Sequence, residues 1–218
     1  MAADRSTNCA RSSDRNLRAF LKSLTPTKRD RWLASLERNE LEAALYDWTL
    51  WARDEQLPPP GGWIWWLILA GRGFGKTRSG SEYILARVRS GKARRIALVG
   101  PTASDVRDVM VETGPGSILQ NCHPSERPKY EPSKRRLTWP NGAQAELFGT
   151  FPPEDVERLR GPQFDSAWCD EVGAYRKPAA FDNLRLGLRL GTAPRAVVTT
   201  TPRATTLIKS LLGAASTV

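Results

Sequence analysis

The chain has 218 residues, enough for one domain, or for one domain with a small appendage, to bury a hydrophobic core without disulfide bridges. Apolar residues make up 40% and charged residues 26%, a composition that excludes wholesale disorder. The 33 Lys and Arg residues outnumber the 23 Asp and Glu residues, and the charge of +10 favours polyanions such as nucleic acid as partners without proving one.

The cysteines and the single histidine exclude several kinds of site. Cys9, Cys122 and Cys169 are too few and too far apart for a disulfide framework or a Cys-x-x-Cys metal clip, which indicates reduced thiols. His123 lies in a proline-rich loop and is predicted to be a surface residue rather than part of a catalytic pair. The sequence has neither an apolar run of membrane-spanning length nor a signal peptide, so we expect the protein to remain in the cytoplasm where it is made.

The first part of the chain is predicted to be a small helical appendage. Apolar residues recur at helical spacing over Leu17–Trp51, which indicates two or three short helices, and Thr25-Pro26 has the form of a helix start. The segment Pro58–Gly62 then breaks the chain, because prolines cannot continue a helix and glycines permit a sharp turn. We therefore predict an appendage over residues 1–57 and a main domain over residues 58–218.

Beyond this break, short apolar runs alternate with helical segments, a pattern typical of an α/β fold with a mostly parallel sheet flanked by helices. The predicted elements are the strand Ile64–Ala70, the helix Lys76–Arg89, the strand Arg95–Val99, the helix Thr102–Val111, the strand Phe164–Cys169, a helical segment around Ala179–Leu190 and the strand Arg195–Thr200. Asn141-Gly142, between the strand-like runs Leu137–Trp139 and Ala143–Phe148, predicts an antiparallel hairpin that decorates one edge.

A glycine-rich segment between the first strand and the first helix of the main domain has the pattern of a P-loop. Residues 70–77 match G-x-x-x-x-G-K-[ST] except at the first position, where Ala70 replaces glycine. The glycines at 71, 73 and 75 would let the loop bring backbone N–H groups round a phosphate at the positive end of the helix. The predicted nucleotide-binding residues of the loop are Gly71, Arg72, Gly73, Phe74, Gly75, Lys76 and Thr77.

Three side chains of this loop predict ATP and Mg²⁺ as ligands. Lys76 would reach the β- and γ-phosphates and the Thr77 hydroxyl would bind Mg²⁺, whereas a turn that merely joins a strand to a helix needs no Lys-Thr at its end. Arg72 is unusual, because a cation within the loop could reach the γ-phosphate as an arginine finger supplied in cis. A salt bridge at the mouth of the loop is the alternative for Arg72.

An acidic pair, Asp170-Glu171, follows the predicted strand Phe164–Cys169, in the order expected of a Walker B element with a catalytic glutamate. Asp170 would hold the Mg²⁺ shell through water, and Glu171 would orient and deprotonate the attacking water. Two adjacent acids after a strand are common by chance, but their position downstream of a P-loop favours the functional interpretation.

Three threonines end the last predicted strand. Some P-loop ATPases insert an additional strand between the P-loop strand and the Walker B strand, and that strand comes next in sequence. Here it would be Arg195–Thr200, so that Thr199, Thr200 and Thr201 present hydroxyls beside the γ-phosphate, where they could sense it. Threonines that simply suit a strand are the alternative.

Taken together, five segments resemble the ATPase domain of the large terminase subunit of tailed bacteriophages and gene transfer agents, the motor that packages DNA into a preformed capsid. These segments are Trp51–Pro59, Leu69–Gly80, Glu157–Asp165, Trp168–Glu171 and Thr199–Arg203. The P-loop by itself would indicate only the superfamily. The run Arg-Gly-Pro-Gln-Phe-Asp ahead of Asp-Glu, and the later Thr-Thr-Thr-Pro-Arg, point to this branch.

The resemblance implies an additional-strand P-loop ATPase that uses ATP and Mg²⁺ to drive double-stranded DNA. It also implies a portal ring, a small terminase subunit, a procapsid and further copies of the chain in a working ring as partners, within a bacterial host cell. By the same resemblance, Gln56 reads adenine, Arg160 is supplied to a neighbouring subunit, and Thr199 to Thr201 form the coupling motif. From the residues alone, Gln56 could equally be a polar residue at a helix end and Arg160 a surface charge.

The C-terminal end departs from that family. Large terminases carry a nuclease domain and a last sheet strand that this sequence does not reach, so we expect a truncated product without nuclease activity. Two alternatives stay open. One is a helicase-type or other nucleic-acid-dependent P-loop ATPase, which would separate the strands of a duplex; the other is a relic that binds ATP or DNA without turnover.

Overall fold

The structure, a computed structural model, describes residues 17–213. The chain divides into two compact units, Met1–Leu57 and Pro58–Val218. Cys9 lies outside the described residues, and Cys122 and Cys169 are buried free thiols. His123 is half-buried and accepts a hydrogen bond at Nδ1 from the backbone N–H of Ser125, 3.2 Å away.

The described part of the first unit is helical. Residues 17–23 are helical and are followed by α1 (Pro26–Ala34), α2 (Arg38–Tyr46), α3 (Trp48–Trp51) and a 3₁₀ turn (Asp54–Gln56). Thr25 has extended backbone and Pro26 occupies the first turn of α1, where its missing N–H leaves no hydrogen bond unmade. A small core of Leu21, Ala44 and Leu50 holds these helices together.

A seven-stranded sheet organises the second unit. Its strands are β1 (Trp65–Leu69), β2 (Arg95–Gly100), β3 (Lys129–Glu131), β4 (Arg136–Thr138), β5 (Gln144–Gly149), β6 (Ser166–Asp170) and β7 (Arg195–Thr200). They lie in the order β1-β7-β6-β2-β5-β4-β3. The first five in this order run parallel, and β4 and β3 are antiparallel additions at one edge. The α/β fold with a mostly parallel sheet is confirmed.

Helices cover both faces of this sheet. They are α4 (Lys76–Arg89), α5 (Ala103–Asp105) with the π-helix Val106–Glu112, α6 (Ile118–Asn121), α7 (Pro153–Glu157), α8 (Ala179–Gly187) and α9 (Thr206–Gly213). Side chains along a strand alternate between the two faces, so Trp168 joins the core cluster that contains α4, and Cys169 joins the cluster that contains α8. No helix in the described part of the chain is long and apolar enough to cross a membrane.

The position of β7 agrees with the prediction of an additional strand, since it lies between β1 and β6. The predicted hairpin forms, but only partly as an edge decoration. Its strand β5 also pairs in parallel with β2, and the β5 residues Ala145 and Leu147 are buried. The strand β3 was not predicted. The predicted helix Thr102–Val111 widens into a π-helix after Asp105, with the Thr102 hydroxyl accepting from the Asp105 N–H.

Candidate nucleotide site

The candidate site lies where the parallel strands end. Leu69, the last residue of β1, is in register with Thr200 of β7, and Thr199 of β7 is in register with Asp170 of β6. The backbone N–H of Ala70 continues this ladder by donating to the Thr200 carbonyl at 3.2 Å. The carboxyl edge of a parallel sheet is where α/β proteins bind ligands, and here it joins the three predicted motifs.

Two glycines give the loop after β1 its shape. Gly73 and Gly75 have φ of 78° and 86°, a left-handed conformation that residues with a Cβ adopt only at a cost. Gly75 is also the N-cap of α4, a 14-residue helix whose first backbone N–H groups carry no intrahelical partner. The loop therefore places the N-terminus of α4, a kind of position at which proteins often bind anions, at the edge of the sheet.

Lys76 is buried at the start of α4 and its ammonium group contacts the loop itself. Its Nζ donates to the carbonyls of Ala70 and Gly71, each at 3.0 Å, and lies 3.9 Å from Glu171 Oε1. Thr77 follows it, half-buried in the first turn of the helix. The Lys76 ammonium group thus stabilises the loop by binding two of the loop's carbonyl oxygens, and it also lies next to the acidic pair.

Arg72 and Phe74 lie on different sides of the loop. Arg72 is exposed and forms no ion pair with any described residue, so the alternative of a salt bridge at the loop mouth finds no partner in this part of the chain. Phe74 is half-buried and packs against the core cluster beneath α4. Arg72 is therefore free to meet an anion, and Phe74 fastens the loop to the core.

Glu171 has an unusual backbone for a residue with a side chain. Its φ of 48° and ψ of 47° are left-handed, and non-glycine residues held in this region cluster at functional sites. Its carboxylate accepts from the Thr201 hydroxyl at 3.1 Å and from the Thr201 N–H at 3.3 Å. Two hydrogen bonds and a nearby ammonium thus fix the direction in which this carboxylate points.

Asp170 is buried beneath Glu171, and burial raises the pKa of its carboxyl to about 6. A hydrogen bond from Thr199 opposes this increase, the Glu171 charge adds to it, and Lys76 lowers the pKa. A carboxylate that is costly to ionise in isolation is stabilised by a bound cation. No group of three or more His, Cys, Asp or Glu side chains among residues 17–213 could hold a metal ion on protein ligands alone.

The three threonines at the end of β7 do not share one role. The Thr199 hydroxyl donates to Asp170 Oδ1 at 2.5 Å, and the Thr200 hydroxyl accepts from the Gly173 N–H at 2.9 Å. Both residues are fully buried. Thr201, at the strand end, is half-buried and contacts Glu171 at the pocket, so the geometry separates one pocket residue from two internal ones.

A pocket of about 430 Å³ opens above these groups. It is lined by Arg72, Lys76, Gly100, Pro101, Asp105, Val109, Met110, Asp170, Glu171, Ala174, Thr201 and Arg203. The end of β2 and the π-helix form one wall of this pocket, which was not predicted from the sequence. The predicted parallel strand Arg95–Val99 was a signal that could have found it, because its carboxyl end must reach the same edge.

Two predicted site residues belong neither to the P-loop nor to the strand ends around this pocket. Arg160 is exposed on the surface and pairs with Glu157 at 3.1 Å. Gln56 belongs to the first unit, where it is buried and its Oε1 accepts from the backbone N–H of Arg53 at 2.9 Å. The structure therefore groups the loop, the acidic pair and Thr201, and does not bring Arg160 to the same pocket.

Comparisons with known proteins bear on this arrangement. The family model described as terminase large subunit, T4likevirus-type, N-terminal, matches residues 67–214. No curated protein sequence matches the chain. Among solved structures, the large terminase of a thermophilic bacteriophage aligns with a TM-score of 0.52 and 14% identity over 74% of this chain and 38% of that one.

The same large terminase in complex with ADP aligns with a TM-score of 0.50 and 15% identity, over 73% of this chain and 37% of that one. The ATPase domain of the Thermus phage P74-26 large terminase aligns with a TM-score of 0.48 and 16% identity, over 67% and 62%. The chain thus spans well under half of the length of the thermophilic bacteriophage's large terminase. At identities this low, the alignments show a shared fold only. Because the family model covers more than half of the sequence, the chain belongs to the T4likevirus-type terminase large subunit N-terminal family.

Proposed function

We propose that this chain is the ATP-hydrolysing motor domain of a phage-type large terminase, which drives double-stranded DNA into a procapsid. One observation carries the proposal: a single pocket is lined by Lys76, Asp170, Glu171 and Thr201. This pocket lies beside the N-terminus of α4, which directly follows the P-loop. Family membership supports the same activity.

The phosphates of ATP would bind at the loop around Gly73 and Gly75. Lys76 already holds two carbonyl oxygens at 3.0 Å, so it would exchange them for phosphate oxygens at little cost in hydrogen bonds. The loop backbone from Gly71 to Gly75 and the first turn of α4 would supply N–H donors to the phosphates. Phe74 would keep the loop seated on the core.

Thr77 and Asp170 would hold Mg²⁺. A site with so few protein ligands fits Mg²⁺, which keeps several waters and takes the remaining ligands from substrate phosphates. When bound, Mg²⁺ would neutralise charge on the phosphates and so favour transfer of the γ-phosphoryl group to water.

Hydrolysis would then depend on Glu171. Its carboxylate would accept a proton from the attacking water as the oxygen bonds to the γ-phosphorus and the bond to the ADP oxygen breaks. The contacts from Thr201 and the left-handed backbone would hold this base in position. Arg72, in cis, and Arg160, from a neighbouring subunit, would stabilise the charge that develops on the transferred group.

Coupling to DNA movement would begin at Thr201. This residue links the base Glu171 to the end of β7, and β7 lies between the P-loop strand and the strand of Asp170. A movement of the Glu171 side chain when phosphate is released would therefore be transmitted through Thr201 to β7, inside the sheet. Within the predicted coupling motif, the geometry favours Thr201 as the sensor, with Thr199 and Thr200 as internal supports.

The remaining assignments follow from family resemblance. Gln56 would read adenine, and the partners would be duplex DNA, a portal ring, a small terminase subunit, a procapsid and further copies of the chain in a ring, in the cytoplasm of a bacterial host. The net charge of +10 supports DNA binding through phosphates, which predicts strong salt dependence. No nuclease activity is proposed for this chain.

Steady-state ATP hydrolysis with Mg²⁺, with and without linear duplex DNA, tests the proposal. Lys76→Ala should abolish turnover, whereas Lys92→Ala, at an exposed lysine just beyond α4, should leave it unchanged. Equal activity in Lys76→Ala and the wild type would sink the proposal. Separation of DNA strands would favour a helicase-type ATPase, and nucleotide binding without turnover would favour a non-catalytic relic.

A further inference from the structure

A buried chain of hydrogen bonds connects Trp168 to the acidic pair. The indole Nε1 of Trp168 lies 3.0 Å from Thr199 Oγ1, which lies 2.5 Å from Asp170 Oδ1. Trp168 and Thr199 are both 0% exposed, and Asp170 is 6% exposed. Solvent water therefore does not compete for the hydrogen bond between Trp168 and Thr199.

The chemistry of the three groups gives the chain one direction. An indole N–H can only donate, so the Thr199 oxygen is the acceptor of that bond. The hydroxyl has one proton, and it can go to Asp170 Oδ1 or to the Cys169 carbonyl, 3.2 Å away. The shorter distance and the negative charge of a carboxylate favour Asp170. Trp168 thereby occupies one lone pair of the hydroxyl and helps to orient its proton toward Asp170.

Gly80 of α4 lies close against the indole. A Cβ added at Gly80 would lie 2.2 Å from Trp168 Cε2 and 2.3 Å from its Nε1, so only a glycine lets α4 approach the ring this closely. That helix begins with Lys76 and Thr77. The ring therefore packs between the helix that carries the loop residues and the strand that carries Asp170.

We propose that Trp168 is a positioning residue for Mg²⁺ binding: it orients the Thr199 hydroxyl, which in turn holds the Asp170 carboxylate in a single orientation toward the pocket. This inference rests on the proposed role of Asp170 in the Mg²⁺ shell. It gives Trp168 and Gly80, neither of which lines the pocket, a part in nucleotide binding.

The affinity for ADP, measured by calorimetry with Mg²⁺ and with EDTA, tests this positioning role without requiring turnover. Thr199→Val removes the hydroxyl at nearly constant shape, and Trp168→Phe removes the indole donor. Each should reduce the factor by which Mg²⁺ tightens ADP binding by about three- to tenfold, the worth of one ordinary intramolecular hydrogen bond, while ADP affinity in EDTA stays unchanged. Because Trp168 acts through Thr199, the double variant should be no worse than Thr199→Val alone.

Two controls separate positioning from packing. Trp66→Phe makes the same change in the same core cluster and should leave the Mg²⁺ factor at the wild-type value. Thr199→Ser retains a hydroxyl and should restore most of it. If Trp168→Phe does not fold, the pair Thr199→Val and Thr199→Ser carries the test.

The outcomes distinguish this inference from the proposed function. A Mg²⁺ factor unchanged in Trp168→Phe, or unchanged in Thr199→Val, would overturn the positioning role, even in an active enzyme. A loss of ADP affinity that is the same with Mg²⁺ and with EDTA would also overturn it, since that is the result of a packing defect. Absent ATP turnover in the wild type contradicts the proposed function, but the Mg²⁺ factor can still be read from binding.

Discussion

The Thr201 hydroxyl and the Thr201 backbone N–H both contact the carboxylate of Glu171, at 3.1 and 3.3 Å. Thr201 directly follows β7 and Glu171 directly follows β6, so the two contacts join the ends of neighbouring strands at the pocket edge. The proposed base is therefore positioned by the proposed sensor, and removing the hydroxyl should affect the chemical step more than binding.

Thr201→Val should lower kcat by about tenfold, a typical cost of losing one charge-assisted hydrogen bond at a reacting group. ADP affinity should not change, because the contact is made to the base rather than to the loop. Thr201→Ser is the matched control and should retain most of the activity. Equal kcat values for Thr201→Val and the wild type would show that the hydroxyl does not position Glu171.

Replacing Glu171 should separate activity from stability. Glu171→Ala and Glu171→Gly both remove the base and should lose at least about a hundredfold in kcat while still binding nucleotide. The left-handed backbone costs a residue with a Cβ about 1–2 kcal/mol. Glycine avoids that cost but loses about 0.4–1 kcal/mol through the greater freedom of its unfolded chain.

We therefore expect the free energy of unfolding of Glu171→Gly to exceed that of Glu171→Ala by about 0.5–1 kcal/mol in a denaturant titration. The alanine variant is the necessary reference, since both variants lose the same carboxylate. A glycine variant no more stable than the alanine variant would mean that the strain at residue 171 is no larger than the loss that glycine brings through its unfolded chain.

The contact between Gly80 and Trp168 predicts a stability defect. Gly80→Ala would introduce a Cβ within 2.2–2.7 Å of three ring atoms, and overpacking of this kind costs about 1–3 kcal/mol. Gly213→Ala is the helical control, because no atom of residues 17–213 lies within 4 Å of its added Cβ. It should be neutral or stabilising by up to about 1 kcal/mol from helix propensity. Thermal unfolding with equal changes in both variants would contradict the close approach.

Arg72 should matter for turnover and not for folding. Arg72→Ala removes an exposed cation without an ion partner among the described residues, so the free energy of unfolding should change by less than about 0.5 kcal/mol. If the guanidinium stabilises charge on the γ-phosphate, kcat should fall by about a hundredfold or more. Arg72→Lys keeps the charge but not the planar fork and should recover only part of the loss. An unchanged kcat in Arg72→Ala would remove it from the catalytic group.

The sequence predicts the fold of this protein better than the contacts within its candidate site. The helix Lys76–Arg89 and the strand Arg195–Thr200 have the predicted bounds, because glycines flank the helix and prolines flank the strand. The three threonines could not be told apart, since their different burial comes from β6 and from the turn at Gly173. The hydrogen bonds that connect Trp168 to Asp170 could not be predicted either, because they pass through Thr199 of β7, a strand distant in sequence.

Arg160 provides a test of cooperation between copies of the chain. It is exposed at 64% of its side-chain area, pairs only with the exposed Glu157 among described residues, and does not line the pocket of its own chain. A surface ion pair of this kind contributes little to stability, so Arg160→Ala should fold normally. If a neighbouring subunit uses this arginine, the variant should lose ATP turnover while still binding ADP.

Mixing two inactive variants distinguishes action in trans from a local effect. In a ring, a subunit with Arg160→Ala still has Lys76, and a neighbour with Lys76→Ala still has Arg160, so some sites between them are complete. We expect a mixture of these two proteins to recover part of the activity. A mixture of Lys76→Ala with Glu171→Gln should recover none, because both residues belong to one subunit's pocket. Recovery in neither mixture, with Arg160→Ala inactive, would mean that Arg160 acts within its own chain.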